Sequence, residues 1–215
     1  MKTTTTYRKS IKSPFDFTVL KKGSSNKKLG FKVTSKKWLG SRLFSLTLTE
    51  RATCPTSCHH WEDCYGNNMP FAHRFDVVGL EDKLRIEVAE LCKKYPNGVV
   101  IRLHVLGDFY SVEYLKFWEE MLSQHNNLRV FGYTAREIDS PIGAAIHKIN
   151  VLQPDRFVVR YSRNMETKRS GLWYAAEESF DGKHFDCPEQ TGKLESCAAC
   201  GLCWTVQNTV RFATH

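Results

Sequence analysis

"VVIRLHVLGDF", residues 99–109, is β-branched and apolar up to a Gly-Asp stop, and "SVEYLKFWEEMLSQH", residues 111–125, places Val112, Leu115, Trp118 and Leu122 on one helical face. The first run reads as a strand and the second as an amphipathic helix. The pattern then repeats. "LRVFGYTAR" (128–136) is a second strand, "SPIGAAIHKI" (140–149) a helix opened by Ser140 with Pro141 at its first position, and "RFVVRYS" (156–162) a third strand. The strand centres near Ile101, Val130 and Val158 lie about 28 residues apart, the spacing of βαβ units that close right-handed into a parallel sheet.

Upstream, Leu80, Leu84, Val88, Leu91 and Tyr95 recur at steps of three and four, predicting a helix stopped by "PNG". Before it, alternation around Phe44, Leu46 and Leu48 predicts a strand that ends just ahead of "TCPTSCHHWEDCYG" (53–66). The expected fold is therefore α/β, with parallel βα units forming a partial-barrel-like or open sheet. A basic arm (1–28) precedes the α/β domain (29–180), and a cysteine-rich segment (181–215) packs on that same domain. Working groups in such sheets sit at the carboxyl ends of strands, which selects Gly107, Asp108, Thr134, Arg136, Ser162 and Arg163. Arg102 and His104 share one strand face, as do Arg160 and Ser162. They face either a pocket or solvent.

The chain has 215 residues, enough for one domain with a real core, and eight cysteines that such a core does not require. The N-terminus lacks the apolar run of a secretory leader, and no stretch approaches the roughly 18–20 apolar residues of a membrane span. A cytoplasmic protein is expected, that of the host cell if the origin is viral. In a reducing compartment clustered cysteines hold metal or do chemistry more often than they form disulfides.

Charge is uneven. Residues 1–37 carry 11 Lys/Arg against the single acid Asp16, leaving 20 against 22 elsewhere. Such an arm can hold nucleic acid through phosphate contacts, or it can be a solvated leader. No Walker loop, Gly-x-Gly-x-x-Gly, His-Glu-x-x-His or Gly-x-Ser-x-Gly is present, so kinase, dinucleotide oxidoreductase, zincin and hydrolase readings have no support.

The cysteines fall into two groups. Cys197, Cys200 and Cys203 are spaced Cys-x2-Cys-x2-Cys with Cys187-Pro188 upstream, a run able to wrap one corner of a 4Fe-4S cubane; a closed four-thiolate zinc site is the other reading. Cys54, Cys58 and Cys64 supply three thiolates. Their fourth ligand is His59 or His60, a tail cysteine, or a small molecule at an open iron. Trp61 and Tyr65 are expected to shield that cluster, and Cys92, beside a helical stripe, to be a core thiol.

"CPTSCHHWEDCYG", "IRLHVLGDF" and "LRVFGYTAR" in this order resemble the first half of a radical S-adenosylmethionine enzyme, although the cysteine spacing is x3 then x5 where x3 then x2 is usual. More closely, "NKKLGF", "FSLTLTERATCP", "CYG", "LHVLGDFYS", "GYT" and "CAACGLCW" with a late histidine are similar to the phage gene product 88 family over roughly residues 26–215. The family resemblance implies a viral origin and an iron–sulfur cluster but no defined reaction. The superfamily resemblance implies that Cys54, Cys58 and Cys64 hold a 4Fe-4S cluster whose open iron binds S-adenosylmethionine, with Gly107 and Asp108 near its amino group. Cys187, Cys197, Cys200 and Cys203 would then hold an auxiliary cluster. Three functions follow as expectations: a radical-SAM-like 4Fe-4S protein, an electron-transfer or redox-sensing protein with a redox partner, and a zinc-stabilised nucleic-acid-binding protein.

Overall fold

The computed structural model describes residues 4–162, 173–177 and 185–213. The predicted βα alternation is present: β1 (Ile11–Lys12), β2 (Lys21–Lys22), β3 (Arg42–Ser45), β4 (Arg74–Phe75), α1 (Leu80–Lys94), β5 (Val99–Leu103), α2 (Val112–Gln124), β6 (Leu128–Thr134), α3 (Pro141–Leu152) and β7 (Phe157–Ser162). Beyond these come β8 (Tyr174–Glu177), β9 (Phe185–Asp186), two one-turn helices α4 (Cys197–Cys200) and α5 (Leu202–Thr205), and β10 (Val210–Phe212).

The helix starts are written locally. Ser111 caps α2 by accepting the Tyr114 N–H at 3.0 Å, and Ser140 caps α3 by accepting that of Gly143 at 3.0 Å, with Pro141 at the first position where no N–H is needed.

Eight strands form an open sheet in the order β2-β3-β5-β6-β7-β8-β10-β9, parallel throughout except for β2 on the edge. From β3 to β8 the spatial order follows the chain, so each helical crossover moves one strand further along the same sheet. Strand alternation then divides the interior in two. Val99, Ile101, Leu103, Val130, Phe157 and Val159 face the core built with α1, α2 and α3, where α2 alone buries Tyr114, Leu115, Phe117, Trp118, Met121 and Leu122. At about 1.5–3 kcal/mol for each large apolar side chain, that stripe is the largest single contribution of any helix. Leu43, Val100, Phe131 and Val158 point the other way, onto Leu29, Val33, Trp38, Trp173, Ala198 and Trp204. The face opposite the helices is thus covered by coil from residues 29–38 and by the C-terminal segment. Arg102 and Arg160 lie on that covered face, Arg102 over Tyr133 and Arg160 against the C-terminal segment, whereas the His104 ring packs on Phe109 and Tyr114 of the helix-side core.

The basic leader is fastened to the domain. β1 pairs with β4, β2 pairs with β3, and the Val19 and Leu20 N–H groups donate to the buried Glu87 carboxylate of α1 at 2.9 and 2.8 Å. The C-terminal segment is equally integrated: β10 lies between β8 and β9, while the N–H groups of Cys197 and Ala198 donate to the carbonyls of Lys28 and Leu29.

Candidate metal centre

The carboxyl ends of β5, β6 and β7 open into one cavity of about 320 Å³. Seven of the eight cysteines line it: Cys54, Cys58 and Cys64 from the loop after β3 on one side, and Cys187, Cys197, Cys200 and Cys203 on the other. Cys92, expected in the core, is 6% exposed within the α1 packing. Two groups 123 residues apart in sequence, counted from Cys64 to Cys187, therefore reach one space, because a loop and a C-terminal segment converge over the same strand ends.

The first cysteine loop is held by buried charge. Arg74 pairs with Glu50 at 2.7 Å, both side chains almost fully buried, and donates further to Ser10 Oγ and to the carbonyls of Gly66, Met69 and Ala72. Arg51 donates to the Trp61 carbonyl and to Asn67 Oδ1, each at 2.9 Å. Apart from one 3-10 turn, Tyr65–Asn68, these bonds hold the segment between β3 and β4 in place of regular secondary structure.

Gly107 and Asp108 join that loop to the sheet. The Asp108 N–H donates to Thr53 Oγ1 at 3.2 Å, while its carboxylate accepts from the N–H of Phe109 (2.7 Å), Thr134 Oγ1 (2.8 Å) and the N–H of Ala135 (2.8 Å). Burial pushes the Asp108 carboxyl up to about 6 against these opposing bonds. Gly107 has φ +82°, and a Cβ there would stand 2.6 Å from Thr53 Oγ1 and 2.7 Å from Leu48 Cβ. Arg136 completes the joint by donating to the Phe109 and Thr53 carbonyls at 2.9 and 2.8 Å. Of the strand-end residues selected from sequence, Gly107, Asp108, Thr134 and Ser162 line the cavity, Arg136 braces it, and Arg163 lies outside the described residues.

On the far wall Arg160 orders the second group. Its buried guanidinium donates to the carbonyls of Cys203 (2.7 Å), Tyr174 (2.9 Å), Asn208 (2.9 Å) and Val206, and sits 5.1 Å over the Trp173 ring. Gly201, φ +67°, makes the turn between α4 and α5 with Ser35 too close for any Cβ. Tyr133 donates its hydroxyl to Cys203 Sγ at 3.0 Å. Tyr133 was not singled out from sequence. Its signal was β6 alternation with Phe131, legible only once that face is known to be covered.

The Leu202 N–H donates to Cys200 Sγ at 3.4 Å, and the main-chain N–H groups of Arg51, His60, Gly66 and Gln190 favour the thiolates of Cys54, Cys58, Cys64 and Cys187 in turn. Such donors stabilise thiolates and tune the potential of thiolate-bound clusters. Burial acts against them. It pushes Cys54 and Cys197 up to about 12 and Cys200 to about 11, reinforced by Asp108 beside Cys54 and by Cys203 beside Cys197. Thiols so placed ionise when a cation compensates them. The donor set therefore suits a thiolate-bound metal group. Among the described residues, no three or more His, Cys, Asp or Glu side chains are drawn together tightly enough to hold a single ion.

The histidines and aromatics depart from expectation. His59 and His60 both line the cavity with rings 4.1 Å apart, and His60 Nδ1 lies 3.3 Å from Asp63. Trp61 is buried but does not line the cavity, whereas Tyr65, 42% exposed, does. Further aromatic lining comes from Phe131 and Tyr133 of β6, Trp204 of α5 and Phe212 of β10.

No described helix is long and apolar enough to cross a membrane. No solved structure matches the chain. The Gene 88 protein of Mycobacterium phage D29 is 24% identical over 188 residues, covering 79% of this chain and 75% of that protein. The Gene 88 protein of Mycobacterium phage L5 is 24% identical over 187 residues, with the same shares covered. The family model for gene product 88 matches residues 18–206, spanning both walls of the cavity, and the chain belongs to the gene product 88 family.

Proposed function

We propose that this protein binds iron–sulfur clusters of the 4Fe-4S type, one on each cysteine group. The observation that carries this reading is the convergence of seven cysteines on one cavity, with the Leu202 N–H donating to Cys200 Sγ and the Tyr133 hydroxyl to Cys203 Sγ. Cys187, Cys197, Cys200 and Cys203 would hold a fully ligated cluster, and Cys54, Cys58 and Cys64 a cluster with one iron free of protein thiolate. A single zinc needs all its thiolates at about 2.3 Å from one point. A cubane takes each thiolate on a different iron, which suits cysteines spread along a cavity wall. Bound clusters would supply one-electron chemistry, and a redox partner follows for either role.

The likeness to radical enzymes extends the proposal to S-adenosylmethionine at the open iron. The Asp108 carboxylate accepts from Phe109, Thr134 and Ala135, which locks the cysteine loop, and Oδ2, accepting one bond, keeps a lone pair for a donor such as the ligand's amino group. The test is Cys→Ser replacement of each group in turn, with iron, sulfide and S-adenosylmethionine binding read on each variant. Loss of about half the iron in either variant supports two clusters; S-adenosylmethionine binding that survives loss of Cys54, Cys58 and Cys64 removes the open-iron reading.

A separate reading attaches to the leader. Lys12 Nζ lies 5.6 Å over Phe17, Phe17 packs edge-on to His73 at 5.4 Å, and Phe15 is 65% exposed, a basic and aromatic surface that suits single-stranded nucleic acid. Binding that weakens steeply with salt and with Lys12→Glu and Lys21→Glu supports it; salt-independent binding or none refutes it.

A further inference from the structure

The floor of the cavity, between the two cysteine groups, carries charge and donors besides the thiols, with the Arg102 charge favouring the Cys197 thiolate. Arg102 and His104 stand two residues apart at the carboxyl end of β5 and both line the cavity. No described residue makes a hydrogen bond or ion pair with the Arg102 guanidinium, and its Nε is buried without a partner. The guanidinium lies over the Tyr133 ring at 5.7 Å, which fixes its direction along the floor. His104 is 5% exposed, with Nε2 tied to the Tyr114 hydroxyl at 3.0 Å and Nδ1 buried without a partner. In the tautomer with the Tyr114 hydroxyl donating to Nε2, the ring proton sits on Nδ1 and His104 offers an N–H there.

The nearby acids are already committed or lie elsewhere. Asp108 accepts three hydrogen bonds, Glu50 is paired with Arg74 through Oε2 and keeps Oε1 buried without a partner, and Asp63 is paired with His60. Glu189 lines the Cys187 side and makes no ion pair with Arg102. A buried polar group without a partner is costly, and Arg102 Nε and His104 Nδ1, on two residues that line one cavity, mark a place where a ligand completes the bonding.

We propose that Arg102 and His104 form a subsite for a small carboxylate- or phosphate-bearing molecule, held by the planar guanidinium fork and the imidazole N–H. Lys28, which also lines the cavity, adds positive charge at its rim. Arg matches both oxyanions because its parallel donors meet two oxygens at once. The subsite concerns the floor and does not depend on iron in the walls.

The experiment is calorimetric titration of the full-length protein, iron-loaded and metal-stripped, with succinate and with inorganic phosphate as the two probes. Saturable binding of one probe at about 1 mM or tighter is expected, weakened at least about tenfold in R102Q and measurably in H104F. R102K, which keeps the charge and loses the fork, is expected to fall between R102Q and the wild type, and it decides the matter should R102Q not fold. The probe that binds identifies the ligand's anionic group. Absence of binding by both probes to both forms of the protein overturns the proposal, as does wild-type affinity in the folded Arg102 variants or in H104F. Iron content measured on the same samples separates this result from the cluster reading, since binding to the metal-stripped protein stands whether or not clusters form.

Discussion

Replacing Arg160 by methionine keeps most of the side chain's length and removes the clamp on the second cysteine wall. The guanidinium is fully buried and donates to four carbonyls, those of Cys203, Tyr174, Asn208 and Val206. Hydrogen bonds to a charged group contribute about 1.5–3 kcal/mol each, so a simple sum overshoots. Two effects reduce it. Methionine avoids the several kcal/mol needed to desolvate a guanidinium, and the carbonyls of residues 203, 206 and 208 can reach water when their segment lifts. The Tyr174 carbonyl lies against the β7–β8 ladder and has no such escape. A net loss of about 2–4 kcal/mol follows, felt first as local opening of residues 197–212. The assay is urea unfolding together with cysteine alkylation read by peptide mass. Cys197, Cys200 and Cys203 should label faster in Arg160→Met while Cys54, Cys58 and Cys92 keep their wild-type rates. Uniform labelling, or a stability change below about 1 kcal/mol, would refute the claim that Arg160 fastens this wall.

Three further outcomes are expected. Burial lowers the His104 pKa from 6.5 to about 3, so the unfolded chain takes up a proton below pH 6.5 that the folded chain refuses; stability is full above 6.5 and falls with pH toward 3. By pH 5 the loss is about 2 kcal/mol, and H104F should remove that part of the slope in urea midpoints measured across pH. Gly107→Ala forces a positive-φ alanine against Thr53 and Leu48, at about 2–4 kcal/mol, and should release iron from the Cys54 group before the other, seen as partial bleaching. Cys92→Ala, a core thiol away from the cavity, should cost about 1–2 kcal/mol in urea unfolding and leave iron content unchanged.

The parallel sheet was legible because Val99–Leu103, Leu128–Thr134 and Phe157–Ser162 are β-branched runs separated by capped, periodic helices. β8 was not, since Tyr174–Glu177 is short and carries no turn signal that sets it apart. The leader read as an arm because its lysines dominate its composition. Its anchors are two-residue pairings and the Glu87 carboxylate, contacts made across 60 or more residues that no local pattern announces. For the site, cysteine spacing named the seven candidate ligands but left open whether they share a space. That answer needed the cover over the second sheet face, which depends on Trp204 stacking at 5.2 Å on Trp38 and on Arg160 gathering carbonyls from the C-terminal segment.

The central claim is tested most directly by iron and acid-labile sulfide per chain on anaerobically purified protein, with its visible spectrum. Two 4Fe-4S clusters predict about eight irons and eight sulfides with absorption near ~400 nm. Zinc without iron, or a colourless protein with neither, would contradict the account.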